Sequence, residues 1–250
     1  MRAMVLAAGM GSRLRPLTFD RPKALVEVGG HTMLATTLVR LRNCGIREVV
    51  VNAHHHAEMI VDYLAEHDYF GLSVEVSVEQ ELLDTGGGLK KVAPFFLRDD
   101  EPILVHNVDV LSNVDFGAML KQHQASGALA TLAVMPRESS RQLLFDEDGW
   151  LCGRISARDG ATEWSREVDD PTALAFCGLH ILSPRIFEAL SEEGAFSIIP
   201  AYLRLAAEPR TIGAFRADDS YWRDLGKPAS IEAATRDLVA MPELSPFAET

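Results

Sequence analysis

The sequence predicts an α/β fold with a mostly parallel central sheet flanked by helices. Short apolar runs at Met4–Ala7, Ile46–Val51, Leu72–Val78 and Ile103–His106 read as strands, the second of them dense in β-branched residues. Apolar residues at helical spacing fill intervals between them, at Leu34, Leu38 and Leu41 and again at Ile60 and Leu64. The alternation makes βαβ units, whose ligands lie beyond the carboxyl ends of the strands. At 250 residues and 47% hydrophobic, the chain can bury a substantial core.

The first strand runs into a loop with Gly9 and Gly11, where backbone N–H groups can turn towards a ligand at close range. Arg13, Arg15, Arg21 and Lys23 follow, in a chain whose net charge is -12. Local basic charge on an acidic protein points to a small polyanion, best a phosphate-rich nucleotide, rather than a nucleic-acid backbone or an anionic membrane. The loop is neither of two common phosphate-binding types: no Gly-Lys-Ser/Thr follows, and Leu14 stands where a dinucleotide fingerprint has its third glycine. Pro16 and Pro22 restrict the backbone and help hold the basic side chains in place.

Further along, Gly29-Gly30 reads as a turn, and Gly45 ends the first helix. Asn52 and His54–His56 come at the end of the second strand. The three histidines lack a further well-spaced ligand for zinc and read as polar residues at a helix start. Glu79–Lys91 reads as a loop after the third strand, with Gly86–Gly88 allowing close approach to a flat ring. The fourth strand delivers Asn107-Val108-Asp109, where Asp109 is either a Mg²⁺ ligand or a turn residue. Asp115 starts a helix, and Leu129–Val134 is another strand. Two short extended pieces around Asp148-Gly149, within residues 141–153, signal an antiparallel hairpin extension. Residues 156–171 read as a solvent loop, and Ala173–Leu182 as a strand with Gly178 inside it. Helices around Phe187 and Leu190, then Ile198, Leu203 and Leu205, form a small lobe. Asp224, in Ser220–Gly226, precedes a helical pattern at Ile231–Val239 and reads from position alone as its initiating carboxylate.

Leu6–Thr18 followed by Arg21-Pro-Lys-Ala-Leu25 resembles the opening of the sugar-1-phosphate nucleotidyltransferases, and the resemblance extends over roughly residues 3–239. It implies a Rossmann-like domain over residues 1–240. Residues 1–135 would mainly bind nucleotide and 136–240 mainly sugar, leaving 241–250 as a surface tail. Carried over residue by residue, it places Ala8, Gly9, Gly11, Ser12 and Arg13 on the nucleotide phosphates. Glu79 would meet the base edge, and Gly86 and Gly87 the floor beneath the base. Asn107 and Gly178 would face the sugar, Asp109 and Asp224 would hold Mg²⁺, and Arg13, Lys23 and Asp109 would be catalytic. Two departures stand out. Relatives usually read Asn-Gly-Asp where this chain has Val108, and many carry Glu-Lys-Pro where it runs Gly153-Arg-Ile-Ser-Ala157.

The implied reaction joins a nucleoside triphosphate to a sugar 1-phosphate, first UTP with an N-acetylhexosamine- or muramate-type acceptor. GTP with mannose 1-phosphate is the alternative, and a nucleotide-sensing domain without turnover is a third reading. Three cysteines without framework or metal spacing suit a reducing cytosol. The N-terminus has no signal-peptide pattern and no long apolar span follows, so cytoplasmic residence is expected. The expected partners are the two substrates, without nucleic acid or membrane, for a monomer or small homo-oligomer.

Overall fold

The computed structural model describes residues 1–248. The fold is the expected α/β one, with a mostly parallel central sheet, flanking helices and an antiparallel extension. The chain divides into two compact units, each discontinuous in sequence. Unit 1 takes residues 1–83, 106–114 and the segment from Tyr221 onward, and unit 2 takes 84–105 and 115–220.

Unit 1 begins with β1 (Arg2–Leu6), β2 (Glu27–Val28), β3 (His31–Thr32) and α1 (Met33–Asn43), then β4 (Glu48–Ala53), α2 (Ala57–Glu66) and β5 (Ser73–Val78). β2 and β3 form a hairpin around Gly29-Gly30. Thr32 caps α1 by accepting from Ala35 N at 3.0 Å, a contact worth about 1 kcal/mol at a helix start. The apolar stripe of α1, Leu34, Leu38 and Leu41, is fully buried, as are Val49, Val50 and Val51 of β4. β1, β4 and β5 are parallel, with Leu6 opposite Asn52 and Ala53 opposite Val78. Their carboxyl ends therefore share one edge.

The chain enters unit 2 with α3 (Asp84–Lys91) and α4 (Ala93–Phe96) and returns along β6 (Ile103–Asn107) to β7 (Val110–Ser112) of unit 1. Unit 2 then takes up α5 (Phe116–Ser126), β8 (Ala130–Met135), β9 (Arg141–Phe145), β10 (Leu151–Ser156) and β11 (Thr162–Trp164). It closes with β12 (Thr172–Leu182), α6 (Ile186–Ala189), α7 (Ile198–Leu205) and β13 (Ile212–Arg216). Asp115 caps α5 through Gly117 N and Ala118 N, as its position suggests. β12 pairs antiparallel with β8 and β9, β9 with β10, and β13 lies parallel to β8. Unit 2 is comparable with unit 1 in extent, where the sequence suggests a small lobe.

Unit 1 is completed by β14 (Trp222–Asp224), antiparallel to β7, and by α8 (Pro228–Ala240). Beyond α8 the segment docks instead of projecting. Leu244 is buried, Phe247 stacks on His31 with ring centroids 3.7 Å apart, and Asn43 Nδ2 donates to Pro246 O at 2.8 Å. Glu249 and Thr250, the end of the expected surface tail, lie outside the described residues.

Three local expectations change. Residues 84–91 are a helix where a loop is expected, β11 forms inside the expected solvent loop by pairing with β10, and β13 has no counterpart in the sequence reading. Among the described residues no helix is long and apolar enough to cross a membrane, and none of Cys44, Cys152 and Cys177 is in a disulfide.

Candidate active site

The loop after β1 is held from inside. Gly11 has φ +60, and a Cβ there would stand 2.9 Å from Thr18 Cγ2 and 3.0 Å from Lys23 Cβ, so both its conformation and its neighbours require glycine. Its carbonyl accepts from Leu14 N at 2.8 Å and from Thr18 Oγ1 at 2.9 Å. Leu14 and Thr18 are buried beneath, while Ser12 and Arg13 are exposed. At Gly9 an added Cβ would meet nothing within 4 Å. Gly9 is exposed, and its backbone is open to approach from outside.

Asp109 and Asp224, remote in sequence, are brought together by the β7–β14 ladder. Asp224 is the register partner of Val110, the residue after Asp109, and Leu225 N donates to Asp109 O at 2.8 Å. Lys23 Nζ pairs with Asp109 Oδ2, with side chains 12% and 17% exposed. Asp224 Oδ1 accepts from Gly226 N at 2.6 Å. A Cβ on Gly226 would stand 2.6 Å from both Arg13 Nη2 and Asp224 Oδ1, so this glycine leaves room for both side chains. Sequence reasoning assigns Gly226 no role, although it closes the Trp-x-Asp-x-Gly stretch.

Asn107 ends β6 half-buried, and Val108 is 3% exposed, so the departure from Asn-Gly-Asp adds a buried side chain. Val108 N donates to Leu6 O at 3.2 Å, which ties the Asp109 turn to the end of β1. His106, just before it, is held neutral: burial first, then the Arg40 guanidinium, push its pKa down to about 3.

Two carboxylates at neighbouring strand ends are the hard oxygen donors that Mg²⁺ accepts, and one of them, Asp109, already holds a cationic ammonium. No group of three or more His, Cys, Asp or Glu able to hold a metal exists among the described residues. The remaining ligands of such an ion would be water and substrate phosphate. His54–His56 serve as polar residues at a helix start. His56, at φ 55, precedes α2, and His54 Nδ1 donates to Glu79 O at 2.8 Å.

Residues 2–143 match the nucleotidyl transferase family. The chain belongs to that family. It is 33% identical over 241 residues to the N-acetylmuramate alpha-1-phosphate uridylyltransferase of Caulobacter vibrioides, covering 94% of this chain and 96% of that one. It is 36% identical over 244 residues to the mannose-1-phosphate guanyltransferase of Neurospora crassa, covering 94% of this chain but 63% of the relative. Among solved structures, HddC from Yersinia pseudotuberculosis superposes with a TM-score of 0.76 at 21% identity, covering 95% of this chain and 99% of that one. A UDP-glucose pyrophosphorylase from Acinetobacter baumanii gives 0.77 at 18%, covering 97% and 95%. At these identities the two structures establish the fold.

In this nucleotidyltransferase the remaining sequence-derived residues fall in both units, Glu79 in unit 1 and Gly86, Gly87 and Gly178 in unit 2. Glu79 is 2% exposed, and both carboxylate oxygens are engaged within unit 1, Oε1 by Asn52 Nδ2 at 2.7 Å and Oε2 by Leu83 N at 3.0 Å. Gly86 and Gly87 belong to unit 2, buried in the first turn of α3, where their N–H groups donate to Phe196 O at 2.9 and 3.2 Å. Gly178, also in unit 2, has φ 73 at a register shift in the β8–β12 ladder. A bulge there requires glycine on backbone grounds alone.

Proposed function

We propose that this nucleotidyltransferase moves a uridylyl group from UTP to an N-acetylhexosamine- or muramate-type 1-phosphate, releasing pyrophosphate. The observation that carries the reading is the meeting of Asp109 and Asp224 beside Lys23 and Arg13 at the carboxyl edge of the parallel strands. The acceptor's phosphate oxygen attacks the α-phosphorus as the bond to the β-phosphate breaks. A phosphate dianion is already a competent nucleophile, so the reaction needs no histidine base and no covalent intermediate, only alignment and charge compensation.

In this reading the N–H groups from Ala8 to Ser12 and the fork of Arg13 hold the triphosphate on its leaving side. Lys23 faces the reacting phosphates, and Asn107 and Gly178 face the sugar. Asp109 and Asp224 would hold Mg²⁺, which supplies charge neutralisation of the phosphate oxygens when bound.

The uridylyl choice rests on the Caulobacter relative, which this chain matches over nearly the full length of both. Guanylyl transfer to mannose 1-phosphate is the second reading, favoured by the Neurospora relative, of which the chain spans 63%. Pyrophosphate release, measured for the four nucleoside triphosphates against several sugar 1-phosphates, decides between them. UTP with an aminosugar acceptor is expected to lead, and a tenfold preference for GTP promotes the mannose reading. The absence of turnover with every pair sinks both.

A further inference from the structure

We propose that Glu79 is a positioning residue that sets the phosphate loop through Asn52, and does not itself read the nucleotide base. Asn52, the penultimate residue of β4, is 2% exposed and faces the end of β1. Its Oδ1 accepts from two consecutive backbone donors, Ala7 N at 2.7 Å and Ala8 N at 3.3 Å, where β1 gives way to the glycine loop. Those donors fix the orientation of the amide, so its Nδ2 must point the other way, and there it donates to Glu79 Oε1 at 2.7 Å.

Glu79 is itself over-determined. Its second oxygen accepts from Leu83 N at 3.0 Å, its own N–H donates to Ala53 O at 2.7 Å, and its carbonyl accepts from His54 Nδ1 at 2.8 Å. A carboxylate buried to 2% with both oxygens engaged lacks the exposure that reading a base edge requires. What the network does accomplish is to hold Ala7 and Ala8 rigidly, so that the N–H groups that follow stay aimed at one place. Preorganised donors of this kind are what a site relying on alignment needs. The selection of the base then belongs to other residues.

The nucleotide part of this inference rests on the reading of residues 8–13 as a phosphate loop, and the test separates the two. Amide hydrogen exchange at Ala7 and Ala8 is followed by NMR, and binding of MgUTP and MgGTP by calorimetry, in Asn52→Leu, Glu79→Gln and the double variant Asn52→Asp/Glu79→Gln. The double variant reverses the central hydrogen bond. The carboxylate introduced at position 52 still accepts from Ala7 and Ala8, and the amide introduced at position 79 donates to it while accepting from Leu83. Asn52→Leu is expected to speed exchange at both amides by at least about 10-fold. Glu79→Gln should weaken MgUTP and MgGTP alike, each by about 10-fold, because a buried donor or acceptor is left unmatched.

The double variant should recover exchange and affinity to within about threefold of the parent, the signature of coupled neighbours. If Asn52→Leu fails to fold, the recovery in the double variant carries the same decision. A changed UTP-to-GTP ratio in Glu79→Gln with unaltered exchange makes Glu79 a base reader and overturns the proposal. So does a double variant no better than the worse single one. If the parent binds neither nucleotide, the phosphate-loop reading fails, and the exchange pattern still decides whether Glu79 positions the loop.

Discussion

At residues 9–11 unit 1 leaves its glycines in a loop, with open space beside Gly9 and a left-handed turn at Gly11. At residues 86–88 unit 2 winds its glycines into α3, and a Cβ on Gly86 would stand 2.2 Å from the ring of Phe196. The two stretches look alike as sequence. In the first, Gly11 is required by its left-handed turn and by Thr18 and Lys23 beside it while Gly9 stays open; in the second, Gly86 is required by the ring of Phe196. The charged groups divide in the same way. Unit 1 gathers Arg13, Lys23, Asp109 and Asp224 at strand ends, whereas polar side chains buried in unit 2 complete internal pairs, His180 with Tyr202 at 2.6 Å and His123 with Thr131 at 2.9 Å. A glycine records that a side chain is excluded and leaves open what excludes it.

The sharpest test of this contrast is the charge on the paired aspartates. Asp109→Asn and Asp224→Asn are each expected to leave a folded protein and to lower Mg²⁺-dependent turnover at least about 100-fold. Near-parental kcat/KM at several Mg²⁺ concentrations would remove them from the metal role. Next come the two cations. Lys23→Met should reduce the single-turnover rate by about 10-fold with little change in triphosphate binding, while Arg13→Met should weaken both. If Lys23→Met affects binding alone, the lysine is a ground-state anchor.

On the other side of the comparison, Gly86→Ala should destabilise the fold by about 1–3 kcal/mol through overpacking. The Phe196 carbonyl is tied to α3 by two hydrogen bonds, which limits how far its ring retreats. A thermal midpoint that rises, as helix propensity alone would dictate, together with weaker nucleotide binding, would make Gly86 a ligand floor in the manner of Gly9.

The last effect expected is on pH. Burial lowers His106 and His180 to about 3 and His123 to about 4. Below the ordinary value of 6.5 the unfolded chain takes up protons that the folded one refuses, so stability is complete above that pH and declines as it falls towards 4. The urea midpoint should drop between about pH 7.5 and about pH 5. An unchanged midpoint would mean that these imidazoles are hydrated.

Much of this is legible in the sequence. β1, the basic loop, the Asp109 turn and the Trp-x-Asp-x-Gly stretch are readable because strand-end position and residue chemistry agree there. The pairing of Asp109 with Asp224 comes only from the family resemblance, since no local pattern links residues so far apart. α3 reads wrongly as a loop because three successive glycines oppose helix propensity, and the tertiary contact with Phe196 overrides that weak preference. β13 escapes notice because Ile212–Arg216 is short, contains a glycine, and is fixed by pairing with β8. Asn52 has a visible signal, an amide closing the run Val49-Val50-Val51, but its partners come from two separate segments.

The discontinuity of unit 1 has a bearing on how the molecule comes into being. During synthesis the chain leaves the ribosome in order, and domains complete themselves as their last segments emerge. Unit 2 has its whole complement once residue 220 is out, whereas unit 1 still waits for β14 and α8. Until then β7 lacks its ladder partner, and Asp109 lacks the strand that brings Asp224 to it. The charged cluster therefore cannot assemble until Trp222–Asp224 has been made.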